Sequence, residues 1–287
     1  MNFTDLKEPY LIGEIGINHN SDIEIIKKLL SAVYCCGWNC AKFQTRNPNL
    51  IPDNQKDKAR QTPWGEMTYL EYKKRMELTY KDYLEIRDIC KEFSIDWSTS
   101  IWDLDSLKMM EYFNKDIPFL KIPSAKITDL ELVSECAKSR KSIVISTGMS
   151  TLEEVDACFN VLMKEPKLSL CNIAVLHCNA AYPCPKEDIN LKMISALKGR
   201  YGCTIGYSGH EEDLASSVFA VREGAMIVEK HITLDHSMWG TDQKSSLEIS
   251  GMNILKKRIS ELPLIYGDGI KKVTKLELDK RMSLRGY

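Results

Sequence analysis

Residues 119–149, FLKIPSAKITDLELVSECAKSRKSIVISTGM, hold two short apolar runs, FLKIPS at 119–124 and SIVISTGM at 142–149. The stretch between them, from about Leu130, carries the three-to-four-residue apolar spacing of an amphipathic helix. Strand, helix, strand in that order is one βαβ unit. The same alternation runs through the chain. Further apolar runs are YLIGEIGI (10–17), CAKFQT (40–45), DWSTS (96–100), NIAVLHC (172–178), TIGYSGH (204–210) and AMIVEKHIT (225–233). Amphipathic stretches begin near Asp22, Lys81, Leu104, Leu130, Leu152, Asp188, Asp213 and Ser250.

Eight such units in 287 residues predict a single-domain (β/α)₈ barrel, the TIM-barrel architecture, over 1–287. A doubly wound open sheet would use the same units, but with a glycine-rich first turn. The first turn here, EIGINHNS, has no GxGxxG. Hydroxyl-then-acid patterns mark helix starts at Ser150–Glu154 and Ser21–Asp22. The connection at about 46–80 is long and rich in proline and charge, which suits a lid or specificity loop on the catalytic face. The tail at about 270–287 is too short for a second domain.

Composition narrows the function classes. A net charge of −1 argues against nucleic acid or an anionic membrane as main partner. No run approaches the roughly 20 apolar residues of a membrane span. The acidic N-terminus lacks a signal-peptide pattern, so a cytoplasmic protein is expected. The ten cysteines form no CxxC pair and no zinc-finger spacing, which predicts reduced, mostly buried thiols.

Catalytic groups of a barrel of this kind project from the C-terminal ends of its strands. Those ends here carry Glu14, Lys42, Gln44, Thr99, Lys121, Ser124, Ser146, His177, Ser208, His210, Glu229, Lys230 and His231. Lys42 and Lys121 sit in apolar strands, where an unpaired charge is costly. Either a protein carboxylate such as Glu14 or a bound anion must neutralise them. With Ser124, Ser146 and Ser208 they would make a cradle for phosphate and carboxylate oxygens. His210 and His231 end adjacent strands about 4.8 Å apart, so their imidazoles can share one divalent metal with open coordination positions. His177 reads as a scaffold residue, and spacing does not resolve His19 or His236.

In order along the chain, EIGINHN, AKFQT, KIPS, ISTGM, LHCNAAYPCP, GYSGH, EKHITLD and GTDQKSSLE resemble the sialic acid synthase family, over about residues 8–275. The resemblance implies condensation of phosphoenolpyruvate with a sugar aldehyde, giving a 3-deoxy-2-keto sugar acid and phosphate. It implies a divalent metal, usually Mn²⁺ with Mg²⁺ or Co²⁺ as alternatives, held by His210 and His231. It assigns phosphoenolpyruvate to Lys42, Thr99, Lys121, Ser124, Ser146 and Ser208. Glu14 falls where an acid–base group is expected, and Gln44, Tyr182 and Asp242 where the acceptor sugar is expected. The class supplies capsule, lipopolysaccharide or glycan assembly, and its members are commonly homodimers.

Three departures from the family pattern stand out. The acid expected two residues after Ser124 is Lys126, which would suit an anionic acceptor. The usual SDH segment reads Ser208-Gly209-His210. The antifreeze-like domain that commonly follows the barrel is missing from this sequence. The alternatives are a synthase for a phosphorylated aldose, with Lys56, Lys58 and Arg60 near the second phosphate, and a non-catalytic sugar-phosphate-binding barrel.

Overall fold

The computed structural model describes residues 1–286. Its strands are β1 (Tyr10–Gly16), β2 (Cys40–Thr45), β3 (Ala59–Thr62), β4 (Gly65–Thr68), β5 (Asp96–Ile101), β6 (Phe119–Ile122), β7 (Ser142–Ser146), β8 (Ile173–Cys178), β9 (Thr204–Gly209) and β10 (Ile227–His231). Its helices are α1 (Ile23–Cys35), α2 (Asp53–Lys56), α3 (Tyr69–Met76), α4 (Tyr80–Phe93), α5 (Leu104–Glu111), α6 (Leu130–Lys138), α7 (Leu152–Met163), α8 (Lys192–Tyr201), α9 (Ala215–Arg222), α10 (Ile249–Tyr266) and α11 (Lys275–Arg285). Eight strands close in the order β1, β2, β5, β6, β7, β8, β9, β10, with β10 returning to β1. Every pair in that ring is parallel. The barrel expected from the alternation is therefore present.

The alternation of each strand sorts side chains between lumen and helix shell. Outward residues such as Leu11, Phe43, Trp97, Ile145, Val175 and Val228 pack under the helices in one large core. Inward residues Tyr10, Ile12, Cys40, Phe119, Val144, Ala174, Leu176 and Ile227 fill the lower lumen as a second core. Gly206 belongs to this layer: a Cβ there would lie 2.4 Å from Leu176 Cδ2 and 2.6 Å from Ile227 O. Phe3 plugs the N-terminal end from a short 3₁₀ turn, its ring 6.1 Å from that of Phe119. With that end sealed, the cavity opens only toward the C-terminal strand ends.

The long connection is not structureless. It contains α2, the antiparallel β3–β4 hairpin and α3, whose capping box pairs Thr68 with Glu71. Apolar and aromatic residues Met67, Tyr69, Tyr72 and Met76 were masked in the sequence by the surrounding charges, which is why the segment read as loop. Two helices start later than expected: a 3₁₀ turn at Lys186–Asp188 precedes α8, and α9 begins at Ala215. The tail forms α11. All ten cysteines are free and eight are buried, as expected for reduced thiols. Among the described residues no helix is long and apolar enough to cross a membrane.

Candidate active site

Above the apolar lumen layer sits a layer of ionisable groups, all on inward positions. Register makes them neighbours: Glu14 stands opposite Lys42 on one side and His231 on the other, Ser208 opposite Glu229, and Ser100 opposite Lys121. Together they line a cavity of about 270 Å³ with Gln44, Trp102, Ser124, Ser146, Tyr182 and His210.

The two lysines are neutralised by protein carboxylates. Lys42 Nζ lies 2.5 Å from Glu14 Oε2 and 3.7 Å from Glu229 Oε2, and donates to Ser100 Oγ at 2.9 Å. Lys121 Nζ lies 3.0 and 3.1 Å from the two oxygens of Glu229. Ser208 Oγ donates to Glu229 Oε1 at 3.1 Å. Burial works against the Glu229 charge, but the ammonium groups of Lys121 and Lys42 overcome it and hold the carboxyl down at about 2. Burial likewise opposes the charge on Lys42, where Glu14 and Glu229 outweigh it and raise the pKa. For Lys121 burial wins, and its pKa is lowered. Two lysines and two glutamates thus form a buried, formally neutral network.

The histidines meet as their strand positions required. Their rings lie 5.6 Å apart between centroids. His210 Nδ1 is 2.6 Å from the Asn179 carbonyl, so it carries the proton and leaves Nε2 as the electron-pair donor. Tyr182 OH donates to that Nε2 at 2.7 Å. Burial, reinforced by His231, pushes the His210 pKa down to about 3, so the ring is neutral at pH 7. His231 Nδ1 is buried without a hydrogen-bond partner, and Asp242 Oδ2 lies 3.8 Å from it. Two imidazoles, one with an orphaned nitrogen, fit a divalent metal. No ready group of three or more His, Cys, Asp or Glu ligands occurs among the described residues, so the remaining positions would belong to water or substrate. Gly16 allows the close approach: its φ is +53°, and a Cβ would lie 3.3 Å from His231 Cε1 and 3.2 Å from Glu14 Oε1.

A scan against family models matches the NeuB family over residues 29–271. The chain belongs to the NeuB family. It is 35% identical over 275 residues to an N,N'-diacetyllegionaminic acid synthase of Campylobacter jejuni, covering 95% of this chain and 81% of that one. It is also 35% identical over 259 residues to an N-acetylneuraminate-9-phosphate synthase of Drosophila melanogaster, covering 89% and 68%. In structure it resembles the N-acetylneuraminic acid synthetase of Leptospira borgpetersenii, with a TM-score of 0.82, 25% identity and 98% and 94% coverage.

Most positions singled out in the sequence reach this NeuB-family cavity; Thr99, Lys126, Lys230 and Asp242 do not line it. Thr99 points out of the lumen, its Oγ1 2.7 Å from Thr45 Oγ1 against Tyr83 of α4. Strand alternation gives its lumen place to Ser100, the contact of Lys42. Lys126 lies in a neighbouring cavity and pairs with Asp129 at 3.3 Å. Lys230 faces outward and binds Glu211 at 3.2 Å. Asp242 reaches the histidines without lining the central cavity. His177 is scaffold, its Nε2 on the Ile189 carbonyl at 2.6 Å, and His236 is held by the Ser246 carbonyl at 2.7 Å. Ser124 Oγ accepts from Gly148 N at 3.0 Å, and Ser146 Oγ is buried with no partner. Glu229 stands at a strand end in the sequence, and the resemblance assigns it no role. A carboxylate an even number of residues from His231 must share its face, and that was the available signal.

Proposed function

We propose that this NeuB-family barrel condenses phosphoenolpyruvate with a sugar aldehyde, releasing phosphate and a 3-deoxy-2-keto sugar acid of the nonulosonate type. The carrying observation is the pair of buried lysines beside a pair of metal-competent histidines in one cavity. The named synthases among the relatives support the reaction class.

Lys42 and Lys121, with Ser100, Ser124, Ser146 and Ser208, receive the anionic donor. The unpartnered Ser146 hydroxyl is a ready donor for one of its oxygens. The ammonium groups exchange part of their carboxylate contact for phosphate and carboxylate oxygens, which fixes C3 of phosphoenolpyruvate toward the aldehyde. His210 and His231 would hold a divalent ion such as Mn²⁺, which would supply a Lewis acid for the aldehyde oxygen. The new C–C bond forms between C3 and the aldehyde carbon; water then adds at C2, and the C2–O bond to phosphate breaks as the ketone forms. Glu14, held by Gln44 Nε2 at 3.0 Å and by Lys42, takes the proton from that water. Gln44, Tyr182 and Asp242 border the acceptor. A cytoplasmic homodimer fits this role, as does supply of capsule, lipopolysaccharide or other surface glycans.

The test is phosphate release from phosphoenolpyruvate with Mn²⁺ across a panel of aldoses, with mass spectrometry of the products and His210→Ala as contamination control. A product heavier than the aldose by the pyruvate unit is expected. Donor binding with no phosphate release from any aldose would instead make the chain a non-catalytic binding barrel.

A further inference from the structure

Beside the barrel mouth lies a second cavity, of about 370 Å³, lined among others by Arg46, Tyr69, Lys73, Trp102, Asp103 and Lys126. Trp102 lines the central cavity as well, so the two adjoin. Gln44 links them too: its Nε2 donates to Glu14, and its Oε1 accepts from the Arg46 guanidinium.

Its charge is unbalanced. Among the described residues neither Arg46 nor Lys73 makes an ion pair, although both are largely buried. Arg46 stacks on the Trp102 ring at 3.8 Å, and Lys73 Nζ lies 5.3 and 5.5 Å from the rings of Tyr69 and Tyr72. Arg60 adds a third cation nearby, 4.5 Å over Tyr72. The neighbouring acids Asp103, Glu77 and Asp242 form no ion pair with either cation; Asp242, whose charge favours both, accepts from Thr241 and lies 3.8 Å from His231. Asp103 caps α5 through Ser106 and accepts from the Asn47 backbone, and Glu77 accepts from the Arg46 backbone at 2.8 Å. Burial pushes the Glu77 carboxyl up to about 7, which weakens it as a counter-charge. Burial, then repulsion from Arg46, pulls Lys73 down to about 8. Two donors also lack acceptors: Trp102 Nε1 and Tyr72 OH are buried with no partner.

Two partly buried cations and the orphaned Trp102 N–H around one space are the complement of an anion. A guanidinium stacked on an indole keeps its N–H groups in plane for acceptors; Gln44 takes one, and the others remain for an anion. Because the cavity adjoins the central one at Trp102, the anion it receives is carried by the acceptor's far end. We propose that Arg46, Lys73 and the Trp102 indole bind a terminal anionic group, phosphate or carboxylate, on an acceptor sugar charged at the end remote from its aldehyde. Lys126, at the edge of this cavity, adds to the field that draws it in. This subsite rests on the reading of the barrel as a synthase.

Two measurements test it. In the first, kcat/KM is compared for neutral aldoses, their terminal phosphates and their terminal carboxylates, in wild type, Arg46→Gln and Lys73→Met. Each variant should lose about 10–100-fold on the charged acceptor, the range of one hydrogen bond to a charged group; Lys73→Met, which leaves the Arg46–Gln44 contact in place, should lose no more than about 2-fold on neutral ones. A neutral aldose preferred by all three proteins overturns the proposal and leaves the synthase reading intact.

The second measurement needs no turnover: calorimetric titration with an unreactive alditol phosphate, the matching aldonate and the neutral alditol. Charged alditol should bind wild type and Lys121→Ala, and bind Arg46→Gln and Lys73→Met at least about 10-fold more weakly. The tighter of phosphate and aldonate names the anion. Equal binding to wild type and both variants, or loss only in Lys121→Ala, overturns the subsite. Binding through Arg46 without turnover of any aldose sinks the synthase reading instead. Arg46→Lys, which keeps the charge, should recover part of the affinity and so exclude a folding defect.

Discussion

Lys121 and Glu229 reach each other across the full width of the barrel. Their strands, β6 and β10, stand four places apart in a ring of eight, and the ammonium still lies 3.0 and 3.1 Å from the two carboxylate oxygens. This contact ties opposite walls together at the level of the proposed chemistry. It also keeps the donor-binding lysine occupied until an anion competes for it.

Glu229→Ala should therefore cost stability as well as function. It strands the buried ammonium group of Lys121 and leaves Lys42 with Glu14 alone, and breaking a buried pair in this way costs about 3–5 kcal/mol. Glu229→Gln, which keeps an acceptor for Lys121, should cost less. Urea unfolding at pH 7 measures both. A loss below about 1 kcal/mol in the alanine variant would mean that water replaces the carboxylate at no penalty.

Thr99 and Ser100 separate shell from lumen in two adjacent residues. Thr99→Val removes a hydroxyl that bonds Thr45 beside Tyr83, so stability should drop by about 1–2 kcal/mol with the KM for phosphoenolpyruvate unchanged. Ser100→Ala removes a contact of Lys42 and should raise that KM several-fold with little change in stability. The reverse pattern, in steady-state kinetics and urea unfolding, would restore Thr99 to the donor site.

This pair also shows how far the sequence can be read. Eight apolar runs and eight amphipathic stretches suffice for a closed parallel barrel, because each run must bury two faces and each helix one. The same runs locate the strand ends, and hence Lys42, Lys121, His210 and His231. Which face each residue takes depends on the strand's phase, set by burial on both sides of an apolar run, and DWSTS offers no polar–apolar contrast to fix it. The resemblance favoured Thr99, whereas the structure turns Ser100 inward. Pairing across the lumen was also out of reach: Glu229 and Lys121 are 108 residues apart, and only closure of the ring brings them together. The second cavity depends on how the segment 46–80 folds, and charges spaced along a loop do not reveal which of them will share a pocket.

His210→Ala and His231→Ala should each lose most bound Mn²⁺, measured by elemental analysis after equilibration and desalting, along with nearly all turnover. His210 gives an electron pair from a ring whose proton is fixed by Asn179, and His231 brings a nitrogen no protein group satisfies. Neither variant should shift the thermal midpoint of the metal-free protein by more than a few degrees, because each removes a ring at the cavity wall. Wild-type metal content in both would end the assignment of the metal to this pair.

His19 gives the protein a pH limit separate from the chemistry. It is only 2% exposed, and its Nδ1 accepts from the Ser21 backbone at 3.0 Å, so the fold holds the ring neutral. Burial pulls its pKa down to about 4, with Asp82 acting weakly the other way. The unfolded chain takes up this proton near pH 6.5 and the folded chain only near 4. Stability is therefore unaffected above 6.5 and falls as pH drops from 6.5 toward 4, by on the order of 3 kcal/mol when complete. His19→Asn, whose side-chain oxygen can accept the same backbone N–H, should flatten the wild-type slope in that window while carboxylates elsewhere titrate alike in both proteins. Urea midpoints at half-unit steps from pH 4 to 7 compare the two, and parallel curves would mean that His19 opens to solvent and protonates without cost to the fold.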